Sequence, residues 1–331
     1  ERPLAFADND RPGIMLAESV RAYLNRYAVA PGRRIVFATT GASAYRAAAD
    51  AKAAGLAVTL VDTRPDSDIG PERVLAKGID ILTGHTVVGA RGTKHVTGLI
   101  VAPVTAGKGA GVGARRTLPC DCVGVSGGWT PAVHLFSQSR GKLVFRADID
   151  AFVPGTSVQR ERSAGAAKGT YDLAAILAEG WAAGAAAAGH SGTRVFIASP
   201  ATPSGFAPVR ILPTDADPKK VRAFLDFQND VTAKDIRLAV REGFESVEHV
   251  KRYTTNGMAT DQGKTSNMAA LGLIAQVRDK TVPQVGTTTF RPPYTPVTFG
   301  AIIGSARGEL FDPIRTAPLH QWAEGPGATF E

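Results

Sequence analysis

The chain has 331 residues, 44% of them hydrophobic and 21% charged, enough to bury cores for two domains of ordinary size. No run of about 18 apolar residues occurs, which excludes a helical membrane span. The net charge is +8, yet the basic residues are scattered in pairs such as Arg33-Arg34, Arg115-Arg116 and Lys219-Lys220, so no nucleic-acid partner is expected; phosphate-bearing cofactors or an acidic partner subunit suit the charge.

In chain order, residues 4–7 read as a short strand, and a helix is expected from about Pro12, with Met15, Leu16, Val20, Tyr23 and Leu24 as its apolar stripe. The clearest β-α-β unit follows. RIVFA (34–38) is a buried strand, TTGAS (39–43) a turn of small residues, 44–54 a helix closed by Gly55, and AVTLV (57–61) a second strand ending at Asp62. This layout places a phosphate at the helix N-terminus beside Gly41 and a ribose against Asp62. The G-x-G-x-x-G fingerprint is absent, so a purely structural β-α-β unit is the competing reading.

Short strands are expected at 79–82, 86–88, 96–102 and 118–125, with GKGAGVG (107–113) as a flexible hairpin tip. Cys120 and Cys122 fall on one strand face as reduced thiols. With no disulfide framework and no four-ligand zinc pattern, they fit a cytoplasmic protein. The strand runs into SGGWTP (126–131), similar to the small-Gly-x-x-Pro turn at the cofactor cleft of two-domain flavoproteins, with Gly127 and Gly128 at the ligand. Its companion is SAGAAKG (163–169), with Gly165 and Ala166 ahead of an Ala-rich helix at 171–188, expected to pack tightly and to present N–H groups to a pyrophosphate. Flavin-binding relatives usually carry Asp where Ala166 stands, so a nicotinamide dinucleotide or an empty cleft is expected rather than FAD.

Residues 201–216 read as a linker that includes one strand-like piece, 209–212. A helix starting at Pro218 carries Val221, Phe224 and Leu225. Thr232 caps a helix at 233–241, Gly243 ends it, and Ser246 opens another that turns Val247, Val250 and Tyr253 to the core. A glycine-containing loop, 256–263, leads to a third helix at 265–276. The last part, 281–331, is Pro-rich and irregular, as in an interface. The six histidines, His85, His95, His134, His190, His249 and His320, read as isolated, and neither a nucleophilic triad nor a metal set stands out.

The order V-T-x-x-D-I, then G-x-x-S-x-E-x-V-K-R-x-T, then Q-G-K resembles the helical domain of bacterioferritin-associated ferredoxins. There four cysteines hold a two-iron, two-sulfur cluster; here those places fall on Asp226, Gln228, Asp261 and Ser266, none of them a thiolate. The scaffold is therefore expected without its cluster. Together with GTTTFRPPYTPVTFGA (286–301), SGGWTP and the opening 27 residues, this resembles the alpha subunits of heterotetrameric sarcosine oxidases nearly end to end.

The resemblance implies an α/β fold. A Rossmann-like FAD/NAD(P)-binding domain at 1–200 precedes a small all-α ferredoxin-derived domain at 217–280 and an irregular Pro-rich tail at 281–331. That tail leads into an aminomethyltransferase-like domain for tetrahydrofolate. Because the chain opens at Glu1 in mid-pattern, a piece of a longer polypeptide is expected. The family's chemistry is conversion of sarcosine, oxygen and tetrahydrofolate to glycine, peroxide and methylene-tetrahydrofolate, with beta, gamma and delta subunits as partners. FAD sits in the beta subunit, NAD in this one, and FMN is shared between them. Arg252, Thr254, Thr255, Gln262, Lys264 and Arg291 are expected around the FMN phosphate and ring, with no catalytic residue and no metal on this chain, which would be inactive alone. Opine oxidases, cyanide-forming glycine dehydrogenases and dye-linked proline dehydrogenases share the architecture. A non-catalytic assembly module with a vestigial cleft is the rival of another class.

Overall fold

The computed structural model describes the chain except residues 105–112, 199–205, 209–211, 214–215, 218, 294, 312–313 and 330–331. Most of the hairpin tip expected at 107–113, most of the strand expected at 209–212 and the helix start at Pro218 therefore lie outside the described residues.

A three-residue strand, β1 (Ile14–Leu16), runs into helix α1 (Ala17–Tyr27). The β-α-β unit follows as β2 (Arg34–Thr39), α2 (Tyr45–Ala53) and β3 (Ala57–Asp62), continuing to β4 (Asp80–Thr83). An antiparallel sheet comes next: β5 (His85–Arg91), β6 (Gly98–Pro103) and β7 (Arg116–Pro119). Then β8 (Cys122–Ser126) returns between β1 and β2, giving a parallel sheet of order β1-β8-β2-β3-β4.

Side-chain alternation along these strands divides the interior in two. Ile35, Phe37, Val58 and Leu60 face α1 and α2, whereas Val36, Ala38, Val61, Val123 and Val125 meet Val87, Leu99, Val101 and Leu118 of the antiparallel sheet. Burial on both faces is why these strands read as unbroken apolar runs. Gly124 is required where β8 passes β2, since a Cβ there would lie 2.6 Å from the Phe37 ring.

Three expectations change. Residues 4–7 form only a bridge, from Ala7 to Gly89. The first helix starts at Ala17, because Met15 and Leu16 belong to β1, whose register with β8 pairs Met15 with Gly124. The single strand expected at 118–125 is two strands in different sheets. Between them Asp121 accepts from the N–H groups of Arg33 (3.0 Å) and Arg34 (2.8 Å). The break puts Cys120 and Cys122 in cores on opposite faces of the sheet, both buried, with burial pushing each thiol up to about 12.

Beyond the 126–131 turn come helix α3 (His134–Gln138), the hairpin β9 (Lys142–Arg146) and β10 (Ala151–Thr156), and helix α4 (Leu173–Ala187). No residue of α4 is buried, so the tight packing expected of it is not met within this chain. Where a helix was expected around Val221, the chain instead pairs β11 (Phe224–Asp226) with β12 (Val231–Thr232).

The expected helices follow as α5 (Ala233–Arg241), α6 (Val247–Thr254) and α7 (Asn267–Val277), then the single-turn α8 (Val282–Val285). Leu225, Ile236, Ala239, Val250, Leu273 and Ile274 make their core. Tyr253 turns outward, 47% exposed, against Phe244 at 4.8 Å. Residues up to Tyr294 form one compact unit; 295–331, with α9 (Phe299–Ile303) and α10 (His320–Glu324), form a second.

Candidate cofactor site

Parallel sheets bind ligands beyond the carboxyl ends of their strands, where strand order reverses. In this chain that crevice lies between β2 and β8, and the protein itself lines it closely. Gly41 is extended, and the Thr39 hydroxyl donates to its carbonyl (2.8 Å). The Thr40 carbonyl accepts from Ala207 N–H (2.9 Å), and the Thr63 hydroxyl donates to Ala207 O (2.7 Å). Asp62 is fully buried; Arg64 chelates it (2.7 Å) and the Tyr45 phenol donates to it (2.9 Å). Burial first, then the Asp62 charge, push the Tyr45 phenol well up. Arg64 also pairs with Glu72 at 2.6 Å. The carboxylate expected to face a ribose thus stands inside a closed ionic network.

The other two turns are engaged in the same manner. Gly127 N–H donates to Arg2 O (2.7 Å), and Gly128 O accepts from Arg2 N–H (2.9 Å). Gly165 N–H donates to the Glu179 carboxylate (2.8 Å), which also accepts from the Thr170 hydroxyl (2.9 Å). The Asp172 carboxylate caps α4 by accepting from Ala175 N–H, so the first turn of that helix already has an anion. Ala166 lies on the 3₁₀ turn after Gly165. A dinucleotide at this edge must therefore contact side chains or displace Arg2, Glu179 or the 206–208 segment.

In the helical domain, the four places expected of a cluster do converge, as a hydrogen-bonded network. Asp226 is 2% exposed and accepts from the N–H groups of Gln228 (2.9 Å), Asn229 (3.2 Å) and Gly257 (2.7 Å) and from the Ser266 hydroxyl (3.4 Å). The Gln228 amide oxygen accepts from Asp261 N–H (3.3 Å), and the Asp261 carboxylate accepts from the Thr265 hydroxyl (2.7 Å). Among the described residues no group of three or more His, Cys, Asp or Glu is placed to hold a metal ion.

Beside this network a cavity of about 210 Å³ is lined by Glu248, Lys251, Arg252, Met258, Gln262, Arg291 and Pro292. It gathers three of the six residues expected around a flavin: Arg252, Gln262 and Arg291. Lys264 lies on the same loop, outside the lining. Thr254 and Thr255 hold the end of α6: the Thr254 hydroxyl donates to Val250 O (2.8 Å), and Thr255 is left-handed with its hydroxyl on Thr254 O (2.6 Å).

Sequence reasoning missed Lys251 and His134. Lys251 is 7% exposed, donates to Thr289 O (2.8 Å) and lines the cavity floor. Burial first, with the Arg291 and Arg252 charges after it, holds this ammonium below its usual range although Glu248 opposes them. Its place on the buried side of α6, one residue after the buried Val250, was the available signal. Glu248 accepts from Thr289 N–H, so three cations face the cavity with one carboxylate already engaged. Far from isolated, His134 is buried and hydrogen-bonded to Gln262 O (3.1 Å).

A parallel sheet with an antiparallel insert, a glycine turn at its carboxyl edge and an appended helical unit define a dinucleotide-binding fold of the FAD/NAD(P) class. L-proline dehydrogenase from P. horikoshii superposes on it with a TM-score of 0.62 at 18% identity, over 91% of this chain and 56% of that one. Residues 220–305 match the family model described as the sarcosine oxidase A3 domain. Sarcosine oxidase subunit alpha of Corynebacterium sp. (strain P-1) is 43% identical over 341 residues, covering all of this chain and 35% of that protein. The subunit alpha of Rhizobium meliloti (strain 1021) is 43% identical over 340 residues, with 32% of it covered. The chain is similar to these sarcosine oxidase alpha subunits along its whole length and spans about a third of theirs.

Proposed function

We propose that this chain is the portion of a sarcosine oxidase alpha subunit that holds one face of a flavin mononucleotide shared with a beta subunit, with NAD at the carboxyl edge of the parallel sheet. The observation that supports it best is the convergence of Lys251, Arg252, Arg291 and the Gln262 amide on one cavity. Three cations share this concave site with a single carboxylate, Glu248, so it keeps a net positive charge that favours an anionic ligand. Guanidinium groups match phosphate oxygens in paired hydrogen bonds, and an ammonium adds a point charge. The donor set therefore fits a phosphate, with Met258 and Pro292 offering apolar contact to the rest of the ligand. The flavin would supply redox chemistry when bound; the chain's own residues bind its phosphate, orient it and keep water from that end.

At the sheet edge the reading is of NAD beside Gly41, Gly127, Gly128, Gly165 and Ala166. The amine substrate would be oxidised at FAD on the beta subunit, with gamma and delta subunits completing the oxidase. Tetrahydrofolate would accept the one-carbon unit on a domain beyond this chain. By itself the chain would not oxidise sarcosine.

The test uses the full-length subunit co-expressed and purified with its partners. Arg252→Ala with Arg291→Ala should lower flavin mononucleotide content at least about tenfold, as expected when two charge-assisted contacts are lost. Lys264→Ala, outside the lining, should have a much smaller effect. Unchanged flavin in the double variant would remove the proposal. Equilibrium dialysis against NAD checks the other half, and an assembly that retains none overturns it.

A further inference from the structure

We propose that His134 is a positioning residue that holds the cationic cavity in shape from the dinucleotide-binding side, through Gln262. The inference rests on the cavity being a ligand site, as read above.

His134 opens α3, three residues after Pro131 of the 126–131 turn, and is 3% exposed. Its Nε2 lies 3.1 Å from the carbonyl oxygen of Gln262, 128 residues later. A carbonyl only accepts, so Nε2 carries the proton and donates. On its other side the ring packs on Phe290, with centroids 4.0 Å apart. Phe290 is buried and directly precedes Arg291 of the cavity.

The residue it holds is under local strain. Gln262 has φ of 50°, in the left-handed region that a side chain with Cβ rarely adopts. Such a conformation persists where the surroundings over-determine it, commonly beside a ligand. Here the Gln262 backbone N–H and its side-chain Nε2 both donate to Ala259 O, at 2.9 and 3.0 Å. Its Oε1 accepts from Arg291 N–H at 3.3 Å. Three of these anchors are local to the cavity; the His134 bond alone reaches the α/β domain. A chain of direct contacts thus runs from the 126–131 turn through His134 and Gln262 to Arg291.

Two substitutions separate donor from filler. His134→Phe keeps a ring against Phe290 and loses the donor; His134→Gln loses the ring but carries an amide N–H near the position of Nε2. In the assembled full-length enzyme, hydrogen exchange of residues 256–263 should quicken about tenfold in the Phe variant, the loss expected for one buried hydrogen bond, and return to within about threefold of the parent in the Gln variant. Flavin mononucleotide per chain and the shape of its visible absorption band should follow the same order. If Phe is tolerated and Gln is not, His134 only fills space and the inference fails; it fails equally if neither variant changes exchange. Because exchange reports on the loop itself, it decides the role of His134 even if the Arg252 and Arg291 double variant shows that the cavity holds no flavin.

Discussion

Asp226 gathers two loops of the helical unit on a single side chain. Four donors turn toward this carboxylate, three of them backbone N–H groups from the β11 turn and the loop after α6. Asp226→Ala would leave several of them buried and unsatisfied, at a cost of about 2–4 kcal/mol, whereas Asp226→Asn keeps one acceptor oxygen and should lose less. Thermal melting of the assembled enzyme distinguishes them. His134 supplies a pH prediction at the same scale. Burial holds its imidazole below the ordinary value, so at neutral pH it is neutral in both folded and unfolded chains. Below that ordinary value the unfolded chain binds the proton first; the contribution of His134 to stability is complete above it and is lost as pH falls through it. Lys264 and Lys251 face the ring and reinforce the trend, and Asp261 opposes it. In the His134→Gln variant the melting temperature should fall less steeply between pH 7 and 5. Cys120 and Cys122, with thiols pushed up to about 12, should resist an alkylating reagent at pH 8 in the native state and react fully after unfolding.

Elements were legible wherever a local rule decided them. Thr232 and Asp235 begin α5 as a pair: the Asp235 carboxylate accepts from Thr232 N–H (2.8 Å) and from its hydroxyl (2.7 Å). Asp235→Ala should cost about 1 kcal/mol, read as a lower denaturation midpoint. The 256–263 loop ends on Gly263, left-handed at φ 74°, where a Cβ would stand 2.2 Å from the Asn267 amide oxygen. Gly263→Ala should disturb this loop more than any cap; on the proposed function, lower flavin mononucleotide content with the parent fold retained is the expected outcome. The two-strand nature of 116–126 escaped the sequence because apolar character runs on through Cys120 to Val125. The local marks of the switch are Pro119, which ends β7, and Asp121, whose backbone partners lie 87 and 88 residues away. The helix expected near Val221 failed similarly: β11 pairs with β12, and Asn9 accepts from Phe224 N–H (2.8 Å) across 215 residues.

At the scale of the molecule, large apolar residues stand exposed on α4, at 195–197 and in residues 295–331. Leu173 is 52% exposed, Phe299 83% and Trp322 72%. Apolar surface of this extent calls for a covering partner, so the 331-residue chain by itself should bind an apolar dye strongly and associate in sedimentation. Co-expression with the remaining subunits should suppress both. Among the described residues no helix is long and apolar enough to cross a membrane, in line with the hydropathy of the chain. From the sequence alone came the β-α-β unit, the three helices after Thr232, the absence of cluster thiolates and the kinship with sarcosine oxidase alpha subunits, because periodicity, caps and ligand types are written within a few residues. Only the tertiary structure decided which polar groups are still available. It closed Asp62 behind Arg64, gave Gly165 N–H to Glu179, brought Lys251 to the cavity that holds Arg252 and Arg291, and set His134 behind Gln262. The Asp62–Arg64 pair is two residues apart, yet its burial, like the bond of His134 to Gln262 128 residues later, is set by how the whole chain packs rather than by a local rule.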